Sequence, residues 1–134
     1  MFNVEIVTPE RVVLRDEVTS LVAPGVLGSF GVLANHAPLL AELTPGELRF
    51  RKNSAEEVRM SIGGGFLQVF NNQVTVLADS AEKPEDINID RARASLNRAR
   101  EELVRAQAAL DDLGQADAQR AVERAQNRIR VAGG

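Results

Sequence analysis

From Ile89 onward, apolar residues recur at spacings that alternate between three and four: Ile89, Ala92, Leu96, Ala99, Leu103, Ala106, Leu110 and Leu113. No strand of period two produces that pattern, so the stretch reads as one long amphipathic helix whose seam alternates large and small side chains. The sequence before it is of another kind. All five prolines and all five phenylalanines lie at or before Pro84, and the chain beyond is dominated by Ala, Arg, Leu, Gln and Glu. Two architectures therefore meet within Ala81 to Ala94, and the spacing predicts a first domain over 1–86 and a second over 87–134. Asn88 or Asp90 is placed to cap the helix start, and Gly114 to supply the left-handed residue that ends it. Ala118, Val122, Ala125 and Ile129 continue the three-four spacing in a second helix from about Asp117 to Val131, so the pair predicts an antiparallel hairpin turning at 112–116.

Upstream, short runs alternate apolar and polar residues as half-buried strands do. Phe2 to Thr8 ends at Pro9, and Arg11 to Arg15 and Val18 to Ala23 are separated by acidic turn residues, as antiparallel neighbours. Gly25, Gly28 and Gly31 punctuate a loop and a strand that runs toward Leu40, with a turn at Asn35-His36 and with Pro38 excluding a central strand. Leu48 and Phe50 share one face of a strand that pairs with Val58 to Ile62 across an Asn53-Ser54 turn. Gly63-Gly64-Gly65 opens Phe66 to Phe70, a strand apolar on both faces and so expected to be covered on both. Asn71-Asn72 turns the chain into Val74 to Ala78. The fold class expected is α+β: an N-terminal antiparallel β-sandwich of about ten strands, then a C-terminal antiparallel two-helix hairpin. Because the helix seams are narrow and half alanine, a hairpin under about 50 residues is marginal alone and needs a surface to pack on, either in this chain or in a partner.

Composition then excludes several kinds of chemistry. The 134 residues include no cysteine and one histidine, which removes thiol chemistry, disulfides and nitrogen-sulfur metal sites. No apolar run approaches 18 residues, so no signal peptide, spanning helix or direct membrane insertion is expected. The net charge of -3 divides unevenly: residues 1–87 carry 7 Lys/Arg against 12 Asp/Glu, and residues 88–134 carry 9 Arg against 7 acids. An acidic molecule is repelled by polyanions, so nucleic acid is not an expected partner.

The apparent motifs give no catalytic site. The three glycines lack the Lys-Ser/Thr pair and helix of a phosphate loop, and a bulge or close backbone approach accounts for them. Gly25, Gly28 and Gly31 miss the dinucleotide spacing. His36 has no nucleophile and acid to form a constellation, and Asp111-Asp112 lacks the oxygen ligands of a calcium loop. The arginines are harder to set aside. Arg91, Arg98 and Arg105 are spaced by seven, and Arg120, Arg124 and Arg128 by four. Solvated neighbours such as Arg98 and Glu102 are one account. Like charges at i,i+4 repel, however, and an anion between the helices or an acidic partner surface would relieve them.

Four stretches in order, Gly-Ser-Phe-Gly-Val-Leu-Ala-Asn-His-Ala-Pro-Leu-Leu (28–40), Gly-Gly-Phe-Leu-Gln-Val (64–69), Val-Thr-Val-Leu-Ala-Asp-Ser-Ala-Glu (74–82) and Arg-Ala-Gln-Asn-Arg-Ile (124–129), resemble the epsilon subunit of a bacterial or plastid F-type ATP synthase. The resemblance spans nearly the whole chain. It implies a non-catalytic central-stalk subunit whose sandwich binds the gamma subunit and the c ring, coupling proton-driven rotation to ATP synthesis. Its hairpin would extend into the alpha/beta catalytic head and inhibit ATP hydrolysis. The implied location is peripheral, on the cytoplasmic face of the cell membrane or the stromal face of the thylakoid. The rotor-facing segment expected is Ser29, Phe30, Gly31, Asn35 and His36, with Ser29 standing where many members carry Glu.

Some members bind ATP through an Ile-Asp-x-x-Arg-Ala motif. Ungapped, the motif falls on Ile87, Asn88, Arg91 and Ala92, with Glu82, Arg98, Arg124 and Arg128 as helpers. A frame shifted by two, Ile89-Asp90-Arg91-Ala92-Arg93-Ala94, matches literally but lies about 200° around the helix. In the ungapped frame Asn88 replaces the acid and loses its charge, so no cofactor is required and ATP is expected only as a weak regulatory ligand. The competing reading is a free-standing ATP-sensing module, which requires tight ATP binding without a partner.

Overall fold

A computed structural model describes residues 1–53 and 56–133. They form two compact units, Met1–Lys83 and Pro84–Gly134. The first contains β1 (Phe2–Val7), β2 (Val12–Val18), β3 (Ser20–Gly25), β4 (Gly28–Leu33), β5 (Leu39–Arg51), β6 (Glu57–Phe70), β7 (Gln73–Ala78) and β8 (Ala81–Glu82). The second contains a single 3-10 turn at Pro84–Asp86, α1 (Ile89–Ala108) and α2 (Asp112–Val131).

The strands follow one hydrogen-bonded path, β2-β1-β7-β6-β5-β3-β4, with β8 on β6. Among the described residues eight strands appear where about ten were expected, because β5 and β6 run for 13 and 14 residues without a break. Their register holds from Leu39↔Val69 to Arg51↔Glu57. Along β6, however, the buried side chains change parity: Met60 and Ile62 are buried before the glycines, Leu67 and Val69 after them. β5 changes at the same level, from Leu43 to Leu48 and Phe50. All seven belong to one core cluster, so the two strands bend together and pass from one layer of the sandwich to the other.

The bend lies at Gly64 and Gly65, with φ of +106° and +138°. A Cβ on Gly65 would sit well inside contact distance of the Leu77 carbonyl oxygen and 2.9 Å from Ala78 Cα. The glycines thus serve a close backbone approach in mid-strand rather than opening a strand.

Three pairings differ from expectation. β2 continues through Asp16 and Glu17 to Val18, and it pairs with β1 instead of β3. β3 pairs with β4 and β5. β1 and β7 are parallel, Asn3↔Gln73 to Val7↔Leu77, the other pairs antiparallel. Phe50↔Val58 and Leu48↔Met60 are opposed as the alternation predicts, while Ser54 of the predicted Asn53-Ser54 turn lies outside the described residues. Lys52 joins Asp16 on edge strand β2 at 2.9 Å. That hydrogen bond holds the Asp16 carboxyl below its ordinary pKa and the Lys52 ammonium above its own.

In the hairpin unit, the helices pack on each other with Ala92, Ala99, Ala118, Val122, Ala125 and Val131 buried. Asn88 is the N-cap of α1, its side chain accepting from Arg91 N–H at 3.0 Å. Gly114 does not end α1. The left-handed residue is Leu110, φ +55°. Asp111 caps α2 by accepting from Gly114 N–H at 3.0 Å, so α2 begins about five residues before the predicted Asp117. With the turn moved to residues 109–111, Leu110 and Leu113 leave the seam and are 84% and 81% exposed.

Candidate functional site

The candidate residues fall in two regions: one end and one outer face of the sandwich, and the helix hairpin. In the sandwich, β3 and β4 form a hairpin closed by Gly25↔Gly28, with Val26 and Leu27 at its tip, Leu27 fully exposed. Beside it lies a cleft of ≈ 720 Å³, lined mostly by apolar atoms, with Phe30, His36, Leu39 and Leu40 among its walls. Of the predicted rotor-facing residues, Ser29, Phe30, Gly31 and His36 line this cleft and Asn35 does not. His36 N–H donates to Leu33 C=O at 3.2 Å, closing a turn in which Asn35 takes φ +60°. Nδ1 of His36 lies 2.7 Å from the Ala37 carbonyl, which can only accept, so the ring proton is on Nδ1.

The expectation that Phe66 to Phe70 is covered on both sides fails within this chain. Leu67 and Val69 are buried, but Phe66 and Phe70 are 48% and 56% exposed. Phe66 is opposite Leu77 on β7, which is 53% exposed, and on the other side β5 adds Leu40, 71% exposed and opposite Gln68. Alternation puts all four on the outer face of that layer. Single exposed apolar residues are ordinary, whereas a cluster with two phenylalanines on one sheet face is the kind of patch that interaction surfaces carry. Sequence reasoning named neither Leu40 nor Leu77 as functional. The signal was present in the two-sided apolar pattern of β6.

In the hairpin, Ile87 and Ala92 are buried, whereas Ala94 of the shifted frame is exposed. Asn88 Oδ1 accepts from Arg91 N–H in the cap, and the residue is exposed. Arg91, Arg98 and Arg124 are exposed and Arg128 is half-buried. Among the described residues, no carboxylate lies within ion-pair distance of Arg91, Arg98, Arg105 or Arg124. Arg98 and Glu102 are thus not an ion pair, while Arg120 pairs with Asp117. A groove of ≈ 570 Å³ near the hairpin turn brings Arg105 and Arg124 together with Glu102, Asp111 and Asp117. Glu82 belongs to the first unit, in β8 opposite Ser61. Among the described residues no cluster of His, Cys, Asp and Glu could hold a metal, and no helix is long and apolar enough to cross a membrane.

The family model for the beta-sandwich domain of the ATP synthase delta/epsilon chain matches residues 1–84, and that for its long alpha-helix domain matches residues 85–133. The chain belongs to the ATP synthase delta/epsilon family. It is 42% identical over 130 residues to the ATP synthase epsilon chain of Syntrophomonas wolfei, covering 97% of this chain and 93% of that one. The epsilon chain of Nitratidesulfovibrio vulgaris strain DP4 is 44% identical, covering 98% and 95%. A chain in the cryo-EM structure of Euglena gracilis mitochondrial ATP synthase matches with TM-score 0.78 at 22% identity, over 98% of this chain and 80% of that one. This likeness shows a shared fold.

Proposed function

We propose that this chain is the epsilon subunit of the central stalk, at the cytoplasmic face of the membrane, with a rotor-binding sandwich and an inhibitory hairpin. The observation that carries the reading is the open apolar face of Leu40, Phe66, Phe70 and Leu77. It continues around β5 to the cleft beside Ser29 and Phe30, since Leu40 belongs to both. The gamma subunit would cover the face and the c ring would meet the β3–β4 tip. The fold is shared with a chain in the cryo-EM structure of the Tetrahymena thermophila mitochondrial ATP synthase central stalk and c-ring, TM-score 0.55 at 19% identity over 64% of this chain and 69% of that one.

The hairpin suits a mobile regulatory element because its buried stripe is mostly alanine, so little apolar area holds it closed. Its exposed Val104, Leu110 and Leu113, with the unpaired stripe Arg91, Arg98 and Arg105, would bind the catalytic head and block hydrolysis when extended. ATP enters as a weak bias on the hairpin through Ile87, Asn88, Arg91 and Ala92, with Arg98, Arg124 and Arg128. The buried Ile87 and Ala92 favour this frame. At about 100 times its dissociation constant a ligand shifts the equilibrium by at most ~2.7 kcal/mol, about half of what full reversal takes. Rotation and head nucleotides must supply the rest.

The test is calorimetric binding of the chain to the gamma subunit with Phe70→Asp. An anchor of this kind is worth ~2 kcal/mol, so affinity falls about thirtyfold with unchanged unfolding. Unchanged affinity contradicts the assignment of this face.

A further inference from the structure

The β6–β7 turn consists of Asn71 and Asn72, both with positive φ, +49° and +60°. Such two-residue turns favour Asn first and Gly second, so the turn alone would be better served by glycine at 72. The Asn72 side chain has another use. Its Oδ1 accepts from Asn35 N–H at 2.7 Å, and its Nδ2 donates to the Met1 carbonyl at 2.8 Å. The orientation of the amide follows from its partners, since a backbone N–H only donates and a carbonyl only accepts. One side chain thus ties the β4–β5 connection and the start of β1 to the end of the ribbon that carries Phe66 and Phe70.

We propose that Asn72 is a positioning residue for rotor binding, holding the Asn35-His36 turn in fixed register with the exposed Phe66–Phe70 face; this rests on the proposed reading of that end as rotor-facing. The turn's own bonds, His36 N–H to Leu33 and His36 Nδ1–H to Ala37, shape it internally without anchoring it to β6 or β7. The Asn35–Asn72 bond supplies the anchor. A partner that spans both the cleft and the apolar face then meets a preorganised surface and loses less conformational entropy on binding.

The experiment compares the full chain with Asn72→Gly and Asn72→Asp by amide exchange at Asn35, urea unfolding, and affinity for the gamma subunit with detergent-solubilised c ring. In Asn72→Gly the turn is kept, and the unfolding midpoint moves little, because glycine at positive φ offsets part of the two lost side-chain bonds. Asn35 exchange rises about fivefold and rotor affinity falls by a similar factor, the worth of one hydrogen bond. Asn72→Asp keeps the acceptor for Asn35 but loses the donor to the Met1 carbonyl, so Asn35 exchange and rotor affinity return toward the parent values while the Met1 tie stays broken. Asn35 exchange unchanged in Asn72→Gly overturns the proposal. Asn35→Lys separates the readings: a loss of rotor affinity there, with none in Asn72→Gly, overturns positioning and leaves the rotor-facing surface standing. No loss in either variant overturns both.

Discussion

Gly65→Ala is the substitution the sandwich should tolerate least. The residue holds φ +138°, in a region closed to side chains, which costs about 1–3 kcal/mol. The new Cβ would meet backbone of Leu77 and Ala78, which cannot swing aside as a side-chain tip can. Relief requires β6 and β7 to separate locally, at a loss of about two ladder hydrogen bonds worth ~1 kcal/mol each. The total, about 3–5 kcal/mol, reaches the lower end of the stability expected of a unit this size, about 4–12 kcal/mol at roughly 0.05–0.15 kcal/mol per residue. Urea unfolding of the full chain, followed by circular dichroism, should show the strand signal lost at far lower denaturant. Gly31→Ala is the control. A Cβ there meets only the Leu21 carbonyl at an ordinary 3.8 Å, and its midpoint should barely move. If Gly65→Ala costs less than about 1 kcal/mol, the claim that a glycine-only bend carries β6 between the layers is wrong.

The remaining predictions concern caps, charges and ligand. Asn88→Ala removes the α1 cap and should cost the hairpin ~1 kcal/mol, read as faster amide exchange in the first turn of α1. Asn88→Asp should slow that exchange, because a carboxylate accepts from Arg91 N–H more strongly and faces the helix N-terminus. If it also tightens ATP binding by calorimetry, the ungapped frame gains support; no binding to parent or variant contradicts ATP as a ligand. Asp16 has its pKa lowered in the fold chiefly by Lys52, so its contribution is present above its unfolded pKa of about 3.9 and is lost as pH falls through the folded value. Stability of Asp16→Asn should therefore differ from the parent most above about pH 4, and the difference should fade as pH falls through the lowered folded pKa of Asp16 and the parent carboxyl takes up its proton.

What the sequence revealed depended on whether local pattern or distant cover decided the outcome. The change of period near Ile89 and the facing of Leu48, Phe50, Val58 and Met60 are local alternations, and they hold in the structure. The Asn71-Asn72 turn was legible for the same reason. Gly63 to Gly65 misled because positive-φ glycines can change which face of a strand is buried without ending the ladder. Leu110 and Leu113 fit the seam by spacing. The left-handed residue falls four positions earlier than Gly114 suggested, because Asp111 offered a cap and Leu110 accepted the left-handed conformation. The exposed apolar face escaped notice as a face because Phe66 and Phe70 look equally apolar whether this chain covers them or not. The role of Asn72 was hidden because a turn residue gives no hint of partners at Met1 and Asn35.

The most direct test of the central claim is ATP hydrolysis by the reconstituted synthase containing the chain truncated after Lys83. The sandwich has its own core, so the truncated subunit should still join the rotor while hydrolysis rises above that of the complex with the full chain. Normal assembly with unchanged hydrolysis would contradict an inhibitory hairpin, and failure to assemble would contradict a sandwich that binds the rotor by itself.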